Sequence, residues 1–103
     1  MELTLLTVPG CPHAAAFEER LAAALAGWTG AVVRRREVAD ERQAAKEGMH
    51  GSPTLLIDGV DPFAGPDQAP SLSCRLYRDE AGRTGGVPSV QALRQALAAA
   101  RHD

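Results

Sequence analysis

Leu3-Thr4-Leu5-Leu6-Thr7-Val8-Pro9-Gly10-Cys11-Pro12-His13-Ala14 changes character halfway along. The run Leu3–Val8 is short, apolar and closed by Pro-Gly, as a buried strand should be. From His13 to Gly27 the period becomes helical. Phe17, Leu21, Ala24, Leu25 and Trp28 recur on one side, and Glu18, Glu19 and Arg20 lie on the other. Cys11 therefore falls where a strand turns into a helix. The unpaired N–H groups of a helix start carry partial positive charge, and thiols so placed can ionise at roughly pH 3.5–7.5 instead of ~8.5. An exposed thiolate is a nucleophile. The alternative is a small buried residue packing the first turn. Pro12 favours the first reading, because proline in the first helical turn fixes the backbone without losing a needed N–H. His13 is expected to assist the sulfur, or else to be an exposed helix-start residue. Ala14 stands where a dithiol motif would carry its second thiol.

The remaining chain supplies further elements. Val32, Val33 and Val38 suit a second strand over 31–38. Asp40, with Gln43 three residues later, has the form of a capping box and opens a short helix ending near Gly48. Gly51-Ser52-Pro53 introduces a third strand, Thr54–Ile57. A long Pro-, Asp- and Gly-rich connection, 59–73, leads to a fourth strand, Cys74–Arg78. Gly85-Gly86-Val87-Pro88 reads as a turn, and the last helix starts at Ser89 with Val90, Leu93 and Leu97 inward. The order β-α-β-α-β-β-α predicts an α/β fold over residues 1–103, read as a single domain. Strands one and two should be parallel, and strands three and four antiparallel. The expectation is a mixed four-stranded sheet with helices on both faces.

Composition narrows the function classes. A net charge of −2 argues against nucleic-acid and membrane binding, and Arg34-Arg35-Arg36 reads as a solvated strand edge. Two cysteines are too few for a disulfide scaffold. Met1-Glu2 leads directly into a strand pattern, with no basic region before an apolar run, and no stretch approaches the ~20 residues needed to span a bilayer. The expected compartment is cytoplasmic, where thiols stay reduced. The excess of Arg over Lys and the abundance of Ala are what a GC-rich coding sequence yields.

At three places the chain resembles the thioredoxin-like superfamily. Cys11-Pro12-His13-Ala14 is similar to that family's Cys-Pro-x-Cys and Cys-x-x-Ser/Ala sites. Ser52-Pro53-Thr54 resembles its cis-proline turn, and Thr84-Gly85-Gly86 is loosely similar to the glutaredoxin turn that holds the carboxylate of a small thiol. A narrower likeness is to small bacterial thioredoxin-family or alkylmercury-lyase-like proteins. It rests on Gly51–Thr54, Asp61-Pro62-Phe63 and Ser73–Tyr77. The resemblance implies that Pro53 is cis and faces Cys11. It further implies that the Ser52 carbonyl and amide are free to pair with an extended substrate backbone, with Pro12 and Thr54 completing the substrate-binding residues.

The expected activity is monothiol thiol–disulfide exchange with Cys11 as nucleophile and His13 assisting. Ala14 cannot resolve a mixed disulfide, so an external low-molecular-weight thiol or Cys74 must do so. Cys74 is otherwise a buried structural cysteine. The expected partner is a protein or small-molecule thiol or disulfide, and no cofactor or metal is expected. Two alternatives stay open: a non-catalytic binding module on the same fold, and an alkylmercury-lyase-like enzyme using Cys11 and Cys74. His50 with Cys11 and His13 is a weak candidate metal cluster, lacking recognisable ligand spacing. Asp58, Asp61 and Asp67, which flank the long loop, are expected to be solvated.

Overall fold

In the computed structural model, residues 1–101 are described. Alternating apolar residues set the central sheet. β1 (Glu2–Thr7) runs parallel to β2 (Val32–Glu37) and antiparallel to β4 (Thr54–Ile57), with strand order β2-β1-β4. Leu3, Leu5, Leu55 and Ile57 share one face. Against them pack Phe17, Leu21 and Ala24 of α1 (Ala14–Ala24) and Leu93 and Leu97 of α3 (Val90–Arg101). The opposite face carries Leu6 and Leu56, which meet Val38, Met49 and Ala44 of α2 (Glu41–Glu47). Helices thus cover both faces of a small mixed α/β sheet.

Local signals account for the helix ends. Asp40 Oδ1 accepts from Gln43 N at 2.8 Å, and Gly48 closes α2 in the left-handed region at φ 79°. The Gln43 side chain reaches back to Ala39 N at 3.2 Å, one residue earlier than a standard capping box. Ser89 Oγ caps α3 by accepting from Ala92 N at 3.0 Å. The arginine run lies on the exposed edge strand, where Arg34, Arg35 and Arg36 pair with Glu2, Glu18 and Glu47. Val32 and Val33 are half exposed there, so β2 adds pairing to the sheet and little apolar burial.

The second half of the chain departs from the expected four-stranded sheet. The strand before Pro53, β3 (His50–Ser52), is separate from β4, and the bond between Ser52 and Pro53 is cis. Asp58 and Gly59, both at positive φ, make a tight reversal that pairs Ile57 with Val60. The chain then crosses to β5 (Ser71–Cys74), which pairs with β3 in parallel. An antiparallel hairpin with β4 needs only a short turn. A parallel partner needs a crossover of at least about a dozen residues, which 53–70, with β4 inside it, provide.

The predicted fourth strand, Cys74–Arg78, is broken at Arg75-Leu76. Arg75 turns its side chain inward and Leu76 is 70% exposed. The chain resumes as β6 (Tyr77–Arg78), which forms an antiparallel hairpin with β7 (Thr84–Gly85). Asp79 holds the hairpin loop, its Oδ1 accepting from Ala81 N and Arg83 N at 2.9 Å each. The Arg83 amide is the largest influence that lowers the Asp79 pKa below the ordinary carboxylate value. The lowered value means that Asp79's contribution is complete above the ordinary carboxylate range and is lost as pH falls through the folded pKa. The protection of the Ala81 and Arg83 amides relative to their intrinsic exchange rates should therefore fall on acidification, and Asp79→Ala should remove that dependence. An unchanged pH profile in the variant would count against this role.

Candidate functional site

The Val8–Cys11 turn leaves the C-terminal end of β1. Cys11 N donates to Val8 O at 3.1 Å, and Gly10 adopts φ 73°, which glycine permits without steric cost. Ala14 N donates to Cys11 O at 3.4 Å, so a single turn joins the cysteine to α1. His13 is the N-cap, and Pro12 precedes the helix instead of occupying its first turn. Cys11 thus lies one turn ahead of α1, partly exposed and free.

His13 is neither a solvent-facing residue nor a side-chain cap. Its ring lies directly on Gly86: a Cβ there would come within 2.6 Å of three ring carbons. Arg20 of α1 donates to Pro88 O at 3.0 Å and holds the following residues against the helix. The Thr84-Gly85-Gly86 segment therefore meets the Cys11 turn through the imidazole. Gly86→Ala should displace the ring and shift the His13 Hε1 resonance, with Gly85→Ala as the control, since its Cβ would meet open space. Equal resonances in both variants would contradict the contact.

Ser52 and Pro53 approach the same turn from the other side. Ser52 Oγ accepts from Val8 N at 3.1 Å, tying the cis peptide to the residue at which the cysteine turn begins. The Ser52 carbonyl is not free, as the resemblance implied. It accepts from Arg75 N at 3.1 Å, and Cys74 stands opposite Ser52 in the β3–β5 ladder. Cys74 is exposed, not the buried structural cysteine of the alternative reading. Thr54 is fully buried, with an internal role in place of substrate binding. Its Oγ1 donates to Gly51 O at 2.5 Å and accepts from His50 N and Arg75 Nη1, each at 3.2 Å.

A charged cluster that sequence reading missed lies behind this turn. Asp61, with only 3% of its side chain exposed, receives Arg75 at 2.6 Å and 3.4 Å and Phe63 N at 2.9 Å. His50 Nδ1 lies 2.9 Å from Asp61 Oδ2, which commits that nitrogen to the carboxylate. Among the described residues, no group of three His, Cys, Asp or Glu side chains is arranged to hold a metal. The Arg75 guanidinium also lies 4.9 Å from the Tyr77 ring centroid. Tyr77 packs edge-on against Phe63 and Phe17, and its hydroxyl donates to Pro53 O. Burial, first of all, pushes the Tyr77 phenol well above its ordinary pKa, with Asp61 and Cys11 adding in the same direction and Arg75 opposing. The phenol consequently remains a proton donor to Pro53 O throughout the neutral range.

The signal for this cluster was present in Asp61-Pro62-Phe63 and Cys74-Arg75-Leu76-Tyr77, but the pairing of Asp61 with Arg75 was not legible. Asp58, by contrast, is committed to the β1–β4 end, accepting from Glu2 N at 2.8 Å. A concavity of about 440 Å3, lined mainly by Ile57, Val60, Pro62 and alanines of α3, lies at that end of β4, away from Pro53. Comparison with protein-family models, with curated proteins and with solved structures gives no match. Among the described residues, no helix is long and apolar enough to cross a membrane.

Removing one member of a buried ion pair leaves the other charge unpaired, at a cost of about 3–5 kcal/mol. Arg75→Met should lower unfolding stability by that order in urea titrations. A loss below about 1 kcal/mol, the worth of an exposed pair, would show that the cluster is not a structural latch.

Proposed function

We propose that this chain is a monothiol, thioredoxin-like thiol–disulfide oxidoreductase with Cys11 as its nucleophile. One observation carries the reading: the Val8 N to Ser52 Oγ hydrogen bond of 3.1 Å, which joins a partly exposed free thiol's turn to a cis Ser52–Pro53 bond. The Cys11 thiolate attacks a disulfide, forms a mixed disulfide and releases the other half as a thiolate. His13, held on Gly86 at the start of α1, is the group beside the cysteine turn suited to moving a proton at the sulfur. Ala14 offers no second thiol, so the mixed disulfide on Cys11 is resolved from outside that turn, by a low-molecular-weight thiol or by Cys74. The substrate is a protein or small-molecule disulfide.

A second reading, a binding module without turnover, draws support from the Ser52 carbonyl, which Arg75 N already occupies. The two separate cleanly. Cys11→Ser should reduce exchange with a small disulfide, in the presence of reduced thiol, to the uncatalysed rate. Unchanged turnover in Cys11→Ser would overturn the enzyme reading, and no turnover in the wild-type protein would favour the binding module.

A further inference from the structure

The β3–β5 ladder brings the second thiol to the site. Residues facing each other across neighbouring strands project to the same side, about 4.8 Å apart in the pairing direction. Cys74 faces Ser52, and the Ser52 hydroxyl reaches Val8 N. Val8 O in turn receives Cys11 N. Ser52 therefore links the two cysteine segments, with Cys74 as its ladder partner and the Val8–Cys11 turn bonded to its hydroxyl, although 63 positions separate the cysteines in the chain. β5 covers the Ser52 carbonyl edge that an extended substrate would otherwise use, so the chain presents its own exposed cysteine there. The end of β5 is anchored as well. Arg75, next to Cys74, is bonded to Ser52 O through its backbone and to Asp61 and Thr54 through its side chain.

We infer that Cys74 is the resolving thiol for Cys11, and that Ser71–Cys74 acts as a built-in strand holding it in the position of a substrate cysteine. The inference rests on the proposed exchange activity of Cys11. In the first step the Cys11 thiolate attacks R–S–S–R′, giving Cys11–S–S–R and R′–S⁻. Cys74 then loses its proton to solvent, and its thiolate attacks the Cys11 sulfur. The Cys11–Cys74 disulfide forms and R–S⁻ leaves, so R–S–S–R′ has been reduced by two electrons taken from the cysteine pair. Two equivalents of a low-molecular-weight thiol reduce the internal disulfide and are themselves oxidised to a disulfide. A disulfide needs Cα atoms within about 7 Å, so its formation also reads out the approach of β5 to the cysteine turn.

The test is intact-mass analysis after adding 2-hydroxyethyl disulfide to the reduced protein, with external thiol held near 0.1 mM. Intramolecular attack at an effective concentration of roughly 1 mM should clear the mixed disulfide about tenfold faster than external thiol does. Wild-type protein should then lose two hydrogens, while Cys74→Ser accumulates the mercaptoethanol adduct on Cys11 with a lifetime about tenfold longer. Moving the thiol one position, Ser73→Cys in the Cys74→Ser background, takes it off the residue paired with Ser52 and should not restore fast clearance. Equal adduct lifetimes in wild type and Cys74→Ser would overturn the resolving role and leave the monothiol reading intact. Restoration by Ser73→Cys would overturn the positional argument. Absence of any adduct on Cys11 in Cys74→Ser would overturn the exchange activity itself, and this inference with it.

Discussion

The ion pair between Arg75 and Asp61 is the constraint on which the site half of this molecule depends. Both side chains are almost wholly buried, and charges in that position persist only when their hydrogen-bonding capacity is met. Here Asp61 is met by Arg75, His50 and the Phe63 amide, while Arg75 also reaches Thr54 and lies over the Tyr77 ring. Those partners come from β3, β4, the long loop and the segment between β5 and β6. Locking them together turns a loop-rich stretch into an ordered wall behind Pro53. The same inward turn of Arg75 ends β5 at Cys74, and Tyr77 two residues later seals the Pro53 carbonyl.

Three segments meet around the cysteine turn, two of them distant from it in the chain. α1 begins just beyond it, the Ser52–Pro53 peptide is bonded to Val8, and Gly86 supports the His13 ring. Each contact depends on a small or specialised residue: a serine hydroxyl, a glycine lacking Cβ, a proline lacking N–H. Such contacts hold the turn without enclosing the thiol, which remains accessible to a partner. The exchange chemistry proposed for Cys11 draws on that accessibility, whereas the buried cluster supplies rigidity.

Much of the first half of the fold, and the start of its last helix, was legible in the residues. The apolar strand Leu3–Val8, the helical repeat of Phe17 and Leu21, the Asp40 cap and the Ser89 cap all act over a few neighbouring positions. Periodicity and capping report on such distances directly. The β3–β5 ladder was not legible, because Ser71-Leu72-Ser73-Cys74 and His50-Gly51-Ser52 are too short for any pattern in them to name a partner strand. Asp61 looked like a solvated loop acid because nothing local distinguishes it from Asp58 or Asp67. Its burial follows from an arginine fourteen positions away.

By itself, the sequence determined the β1–α1 unit with Cys11 at its junction, the exposed arginine edge, and the absence of a second thiol at position 14. These follow from local periodicity, charge and residue identity. Only the tertiary structure decided that the chain after Pro53 pairs back onto β3, that Asp61 and Arg75 are buried together, and that Cys74 stands across from Ser52. The physical reason is that a buried charge and a strand pairing are both satisfied by partners far along the chain. Which partner is chosen depends on how the whole chain closes, beyond the reach of any local pattern.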